Sequence, residues 1–157
     1  MKVLFVCLGN ICRSPAAEGI FLDLLAKNQL ADRVEVDSAG TSGYHAGGCA
    51  DSRMIAHAKK RGIELLSLSR KFIPKDFEEF DYILTMDRNN YWDVRAQTDR
   101  EGEKAKVIPF TDFCRRFEIH EVPDPYYGGE AGFERVLDII EDASEGLLKK
   151  IKEELAL

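Results

Sequence analysis

Val3-Leu4-Phe5-Val6-Cys7-Leu8-Gly9-Asn10-Ile11-Cys12-Arg13-Ser14-Pro15 is the stretch that decides the fold class. Val3 to Val6 is a continuous apolar run, the pattern of a buried strand. Gly9 and Asn10 are residue types that tolerate positive φ, and Ser14-Pro15 reads as an N-cap followed by a favoured first helical residue. A strand turning through a short loop into a helix is where a doubly wound α/β sheet binds an anion, against the helix N-terminus. Backbone N–H groups from Leu8, Gly9, Asn10, Ile11 and Cys12 to Arg13 would form a concave nest for phosphate oxygens. The planar guanidinium of Arg13 adds two parallel hydrogen bonds. The same positive field favours Cys7 as thiolate, its nucleophilic form. A cysteine ending a buried strand is ordinarily a small core residue. Arg13 has no use in a core, so the stretch reads as an oxyanion loop under a nucleophile.

The rest of the chain alternates strand and helix, which predicts a parallel sheet. Ala17, Ile20/Phe21 and Leu24/Leu25 predict a helix over 15–28. Residues 34–36 read as a second strand leading into Asp37-Ser38-Ala39-Gly40, and 40–50 is a glycine-rich loop holding Tyr44 and His45. A helix over 51–61 stops at Gly62. Residues 82–86 read as a third strand with Asp87 at its end, followed by a helix over 89–97. Residues 106–110 form a fourth strand, with a short helix over 111–117. Phe133, Val136/Leu137, Ile140, Ala143, Leu147/Leu148 and Ile151 place one apolar stripe on a helix over 132–154. The expected architecture is a single α/β domain over 1–157: four parallel strands in order 2-1-3-4, helices on both faces, and the loop after strand 1 at the switch point.

At 157 residues, 45% hydrophobic and 32% charged, the chain fits an ordinary globular domain. The N-terminal apolar stretch is too short for a signal segment or membrane span, so the expected location is cytoplasmic, with no membrane partner. Cys7, Cys12, Cys49 and Cys114 are too few for a disulfide framework, and no Cys/His cluster has zinc spacing. No metal or other cofactor is expected. A net charge of −6 argues against nucleic acid as a partner and leaves phosphate affinity to local groups.

Asp124-Pro125-Tyr126-Tyr127-Gly128-Gly129 is the second informative segment. Pro125 holds Asp124 extended. On residue type alone an Asx-turn carboxylate is the commoner reading, beside that of a proton donor. Taken with Cys-Leu-Gly-Asn-Ile-Cys-Arg-Ser-Pro, Asp37-Ser38-Ala39-Gly40-Thr41-Ser42-Gly43-Tyr44 and Thr85-Met86-Asp87, in that order, it resembles the low-molecular-weight protein tyrosine phosphatases over essentially the whole chain.

The resemblance implies the same fold and a protein-tyrosine phosphatase acting through a cysteinyl-phosphate. Cys7 would be the nucleophile, Arg13 the phosphate ligand, and Asp124 the general acid, returning as base for water. Ser14 is the natural donor to the Cys7 sulfur, and Tyr44, Tyr126 and Tyr127 would wall a cleft deep enough to select phosphotyrosine. Asn10 fits the family's loop-bracing asparagine, and Asp87 a buttressing position, with helix capping the competing role. Ser67 departs from the pattern, since some relatives carry a histidine there that braces the loop. Cys12 lies across the loop from Cys7, within reach of a reversible disulfide that would shield the nucleophile. Packing of a small side chain is the alternative. Cys49 and Cys114 read as ordinary thiols, and His45, His57 and His120 as solvated or helix-surface residues. The expected partners are tyrosine-phosphorylated proteins, and the expected state is a monomer or weak dimer.

Three other activities compete. Arsenate reduction on this scaffold needs a downstream cysteine pair, and 82–95 contains none. A protein-arginine phosphatase of this type typically has threonine where Ile11 stands. A phosphate-binding module without turnover would have no use for Asp124.

Overall fold

The computed structural model describes residues 1–126 and 129–157. Its elements follow the chain as β1 (Lys2–Cys7), α1 (Arg13–Lys27), β2 (Glu35–Gly40), α2 (Ser52–Lys60), α3 (Asp76–Glu79), β3 (Tyr82–Thr85), α4 (Arg88–Arg95), α5 (Glu101–Lys104), β4 (Val107–Pro109), a 3₁₀ turn (Phe110–Phe113) and α6 (Glu130–Glu154). The strands form one parallel sheet in the order β2-β1-β3-β4, as the sequence predicts.

Because β1 is central and entirely parallel, both its faces are covered and it reads as an unbroken apolar run. Alternate residues feed two cores. Val3, Phe5 and Cys7 face the larger one with α1 and α6, whereas Leu4 and Val6 face Phe72, Phe77, Phe80 and Val94. Phe5 packs edge-on against Phe21 and Phe110, with ring centroids 6.0 and 4.9 Å away. Truncating so enclosed a ring costs about 3–5 kcal/mol. Cys7 therefore ends a rigid strand, and the loop that follows opens at the carboxyl edge of the sheet.

Two elements differ from the sequence reading in ways that shape the site. Strand β2 runs on through Asp37-Ser38-Ala39-Gly40, pairing Cys7 with Gly40. Thr41 N–H then donates to Cys7 O and Ser42 N–H to Leu8 O, both at 2.9 Å, so the polar segment is a wall of the loop. Helix α1 begins at Arg13, with Cys12 as N-cap. Ser14 is thus not the cap: its hydroxyl is drawn towards Cys7 and Asn10. Pro15 lies within the first turn, where a missing N–H costs nothing. The expected helix over 111–117 is only the 3₁₀ turn, because the carboxylate of buried Asp142 on α6 takes the backbone N–H groups of Arg115, Arg116 and Phe117.

Candidate active site

A cleft of about 470 Å³ opens over the β1–α1 loop, lined by Cys7, Leu8, Gly9, Ile11, Cys12, Arg13, Ser42, Tyr44, His45, Asp124 and Tyr126. Residues separated by more than a hundred positions meet here because the loop sits at the switch point between β2 and β3.

Asn10 fixes the shape of the loop. It has φ 55°, a left-handed conformation that asparagine tolerates. Its Oδ1 accepts from Arg70 N–H at 3.0 Å, which orients the amide so that Nδ2 donates to Ser14 Oγ at 2.7 Å. Ser69 Oγ donates to Asn10 O at 2.6 Å. With Asn10 donating to it, the Ser14 hydroxyl has Cys7 Sγ at 3.0 Å and Ala39 O at 3.4 Å as the groups within reach of its own proton, the sulfur being the nearer. Ser69 and the Arg70 backbone, just after Ser67, thus brace the loop at Asn10. Gly9 has no positive φ. A Cβ there would lie 3.2 Å from His45 Cδ2, so the imidazole would have to shift by a few tenths of an ångström to admit a side chain.

Among the described residues, none accepts a hydrogen bond from the backbone N–H of Gly9, Asn10, Ile11 or Cys12. This row of donors beside a buried guanidinium is suited to a tetrahedral oxyanion. Arg13 Nη1 donates to Asp87 Oδ2 at 2.7 Å and to Val122 O at 3.0 Å, while Nη2 lies 3.5 Å from Asp124 Oδ2. Burial disfavours the charge on Arg13, but Cys7, Asp87 and Asp124 outweigh it and raise its pKa. Asp87 also caps α4 in a capping box with Asn90. The two roles weighed from sequence are held at once, one by each carboxylate oxygen.

The Asx-turn reading of Asp124 holds, and only one of its oxygens is used for it. Oδ1 accepts from Tyr126 N–H at 3.0 Å, an Asx-turn, while Oδ2 faces Arg13 across the cleft. A carboxyl group held half-exposed over a phosphate-sized cradle can exchange a proton with a group bound there. Tyr44, 87% exposed, and Tyr126 lie on the cleft walls. The Tyr127 assignment lies outside the described residues.

Cys12 is buried, and its thiol pKa is pushed up to about 12 by burial first and then by Asp51, Cys7 and Asp124. It stays protonated at neutral pH. The same is true of Cys114, raised to about 12 by burial and Asp142, whereas Cys49 is exposed.

Two histidines depart from the sequence reading. His45 lines the cleft, edge-on to Tyr44 at 4.9 Å. His57 is buried, stacked 5.4 Å from Phe133 and bonded through Nδ1 to Glu134 of α6. No motif surrounds either residue, and their partners come from distant segments. His120 is exposed, as expected. Among the described residues, no cluster of His, Cys, Asp and Glu could hold a metal, and no helix is long and apolar enough to cross a membrane.

The sequence profile of the low molecular weight phosphotyrosine protein phosphatases matches residues 2–157. The chain belongs to this family, whose members hydrolyse phosphoric monoesters. A Synechocystis relative named for the family is 50% identical over 99% of each chain. The crystal structure of a protein tyrosine phosphatase from Entamoeba histolytica superposes with a TM-score of 0.95 at 49% identity, covering 98% of each chain. An arginine phosphatase from Drosophila superposes at 0.90 with 33% identity, covering 97% of this chain and 98% of that one. The fold is therefore shared by phosphatases named for two different phosphoamino acids.

Proposed function

We propose that this phosphatase hydrolyses phosphotyrosine in proteins in two steps through Cys7. In the first, the Cys7 sulfur attacks phosphorus and forms an S–P bond as the P–O bond to the tyrosine ring breaks. Asp124 gives its proton to the departing phenolate. A phenol has a pKa near 10, so its anion is a poor leaving group at neutral pH and gains about 10²–10⁴-fold from a positioned acid. In the second step water attacks phosphorus, loses its proton to the Asp124 carboxylate, and the S–P bond breaks to give inorganic phosphate and the thiolate.

The observation that carries this reading is the convergence of Ser14, Arg13 and Asp124 around Cys7, each on a different atom of the reaction. Ser14 at 3.0 Å stabilises negative sulfur both as nucleophile and as leaving group. Arg13 and the loop N–H groups hold the equatorial oxygens, whose negative charge they stabilise throughout. No step calls for a metal.

Aromatic walls at Tyr44 and Tyr126 support tyrosine as the substrate side chain, since a phosphoserine stem is too short to carry phosphate past them into the loop. Apolar Ile11 supports tyrosine over phosphoarginine. Cys12 is proposed as a guard. Peroxide oxidises the Cys7 thiolate to sulfenic acid, the Cys12 thiol attacks that sulfur, water leaves and a disulfide forms.

Peptides carrying phosphotyrosine, phosphoserine or phosphoarginine in one sequence context test the assignment. The expected result is turnover of phosphotyrosine at least about 10²-fold above the others in kcat/KM, lost in Cys7→Ser. Preference for phosphoarginine would move the enzyme to the other branch of its fold, and activity retained in Cys7→Ser would remove the nucleophile.

A further inference from the structure

Arg53 has no part in the chemistry above, yet it holds the segment that carries Asp124. It is the second residue of α2, where the positive end of the helix dipole makes a cation unfavourable. Its charge is largely exposed, and an exposed ion pair of the kind it makes with Asp51 adds little stability. Its placement is nevertheless tightly defined. The guanidinium lies between two aromatic rings, with Cζ 5.3 Å from the Tyr126 centroid and 5.0 Å from that of Phe133. Asp51 grips its edge, Nε to Oδ1 at 3.1 Å and Nη2 to Oδ2 at 2.9 Å. Nη2 also donates to Tyr126 O at 3.1 Å.

Each of these groups leads to the reacting centre. The N–H of Tyr126 is the donor that holds Asp124 Oδ1. Asp51 N–H donates to Ile11 O in the phosphate loop at 2.8 Å. Phe133 is a buried residue of α6 and so a fixed wall. Arg53 thus pins the ring and carbonyl of Tyr126 to a rigid helix, while the residue that pins Arg53 is itself bonded to the loop. A planar cation with donors along its edge is required; lysine can neither fork onto Asp51 nor stack flat.

We propose that Arg53 is a positioning residue for the Asp124 carboxyl, acting through Tyr126, and that it sets the distance between the proton donor and the phosphate loop. This rests on the reading of Asp124 as the acid. Such an arrangement matters because proton transfer is sensitive to misplacement on the scale of 1 Å.

The test is the dependence of kcat/KM on leaving-group acidity across a series of aryl phosphates. In Arg53→Met the line is expected to steepen, with phenyl phosphate slowed about 5–10-fold and p-nitrophenyl phosphate less than about twofold. Arg53→Lys should resemble Arg53→Met, and inhibition by inorganic phosphate should stay within about twofold of wild type because the cradle is intact. In an Asp124→Asn background, Arg53→Met should steepen the line no further. If Asp124→Asn steepens the line and Arg53→Met does not, the positioning role is overturned and the acid stands. Equal slowing of every substrate by Arg53→Met, or additive steepening in the double variant, also overturns it. If Asp124→Asn itself leaves the slope unchanged, the assignment of the acid falls first.

Discussion

Asp87 accepts from Arg13 Nη1 at 2.7 Å through Oδ2 while its Oδ1 caps α4 on Asn90 N–H at 2.8 Å. One carboxylate thereby fixes the Arg13 guanidinium against the end of the central sheet. Val122 O holds the same nitrogen, so Nη2 is left to face the cleft and Asp124. Asp87→Asn keeps an acceptor for the cap and removes the negative charge that faces the Arg13 guanidinium. It is expected to lower kcat/KM about 10-fold with little change in melting temperature. Asp87→Ala also loses the cap, about 1 kcal/mol, and should melt several degrees lower. Steady-state kinetics with thermal unfolding separate the two effects. Unchanged kinetics in Asp87→Asn would leave Asp87 as a cap alone.

Ser14 should matter more for release of phosphate from sulfur than for its capture. Removing its hydroxyl leaves the Cys7 sulfur, otherwise 3.0 Å away, without its donor when it must depart as thiolate. Ser14→Ala is expected to lower kcat about 10-fold or more and KM with it, and to show a burst of p-nitrophenol in stopped flow. A fall in kcat/KM without a burst would place the role of Ser14 in attack only.

The Cys12 thiol, raised to about 12, is protonated at neutral pH and so should not itself be the first target of peroxide. Peroxide is expected to inactivate reversibly, with a Cys7–Cys12 disulfide found by peptide mapping. In Cys12→Ser the loss should become irreversible as Cys7 climbs to sulfinic acid. Equal recovery by thiol in both forms would dismiss the guard.

Asp142 carries a prediction about stability rather than catalysis. Burial raises its pKa, but the backbone N–H groups of Phe117, Arg116 and Arg115 outweigh burial and hold it below the ordinary 3.8. A carboxyl whose folded pKa is depressed stabilises above its unfolded pKa and loses that contribution as pH falls through the folded value. Asp142→Asn should therefore cost about 2 kcal/mol at pH 7, and the gap from wild type should close below about pH 4, measured by urea unfolding. A gap independent of pH would assign the effect to packing.

What was legible in the chain follows from where the partners lie. Cys7, Asn10, Arg13 and Ser14 belong to one strand–loop–helix turn, so their grouping is visible in its spacing. The central strand betrays itself as an apolar run because both its faces are covered. The start of α1 was misplaced because Ser14 looks like a cap, and only the fold shows its hydroxyl claimed by Asn10 and Cys7. His57 with Glu134, and Arg53 with Tyr126 and Phe133, pair residues more than seventy positions apart across α2, α6 and the Asp124 segment. No local pattern encodes such pairs. Loop-bracing at Ser69 was missed for a related reason, since its signal is a backbone carbonyl that any residue at position 10 would present.

Passage of phosphate through the Cys7 sulfur is the step on which the rest of the proposed chemistry depends. Mixing the enzyme with a phosphotyrosine peptide, quenching within the first turnover and mapping the digest by mass spectrometry tests it directly. The expected result is a phosphate adduct on the peptide containing Cys7, more abundant in Ser14→Ala and absent in Cys7→Ser. Full turnover with no adduct at any quench time, or an adduct on another residue, would contradict it.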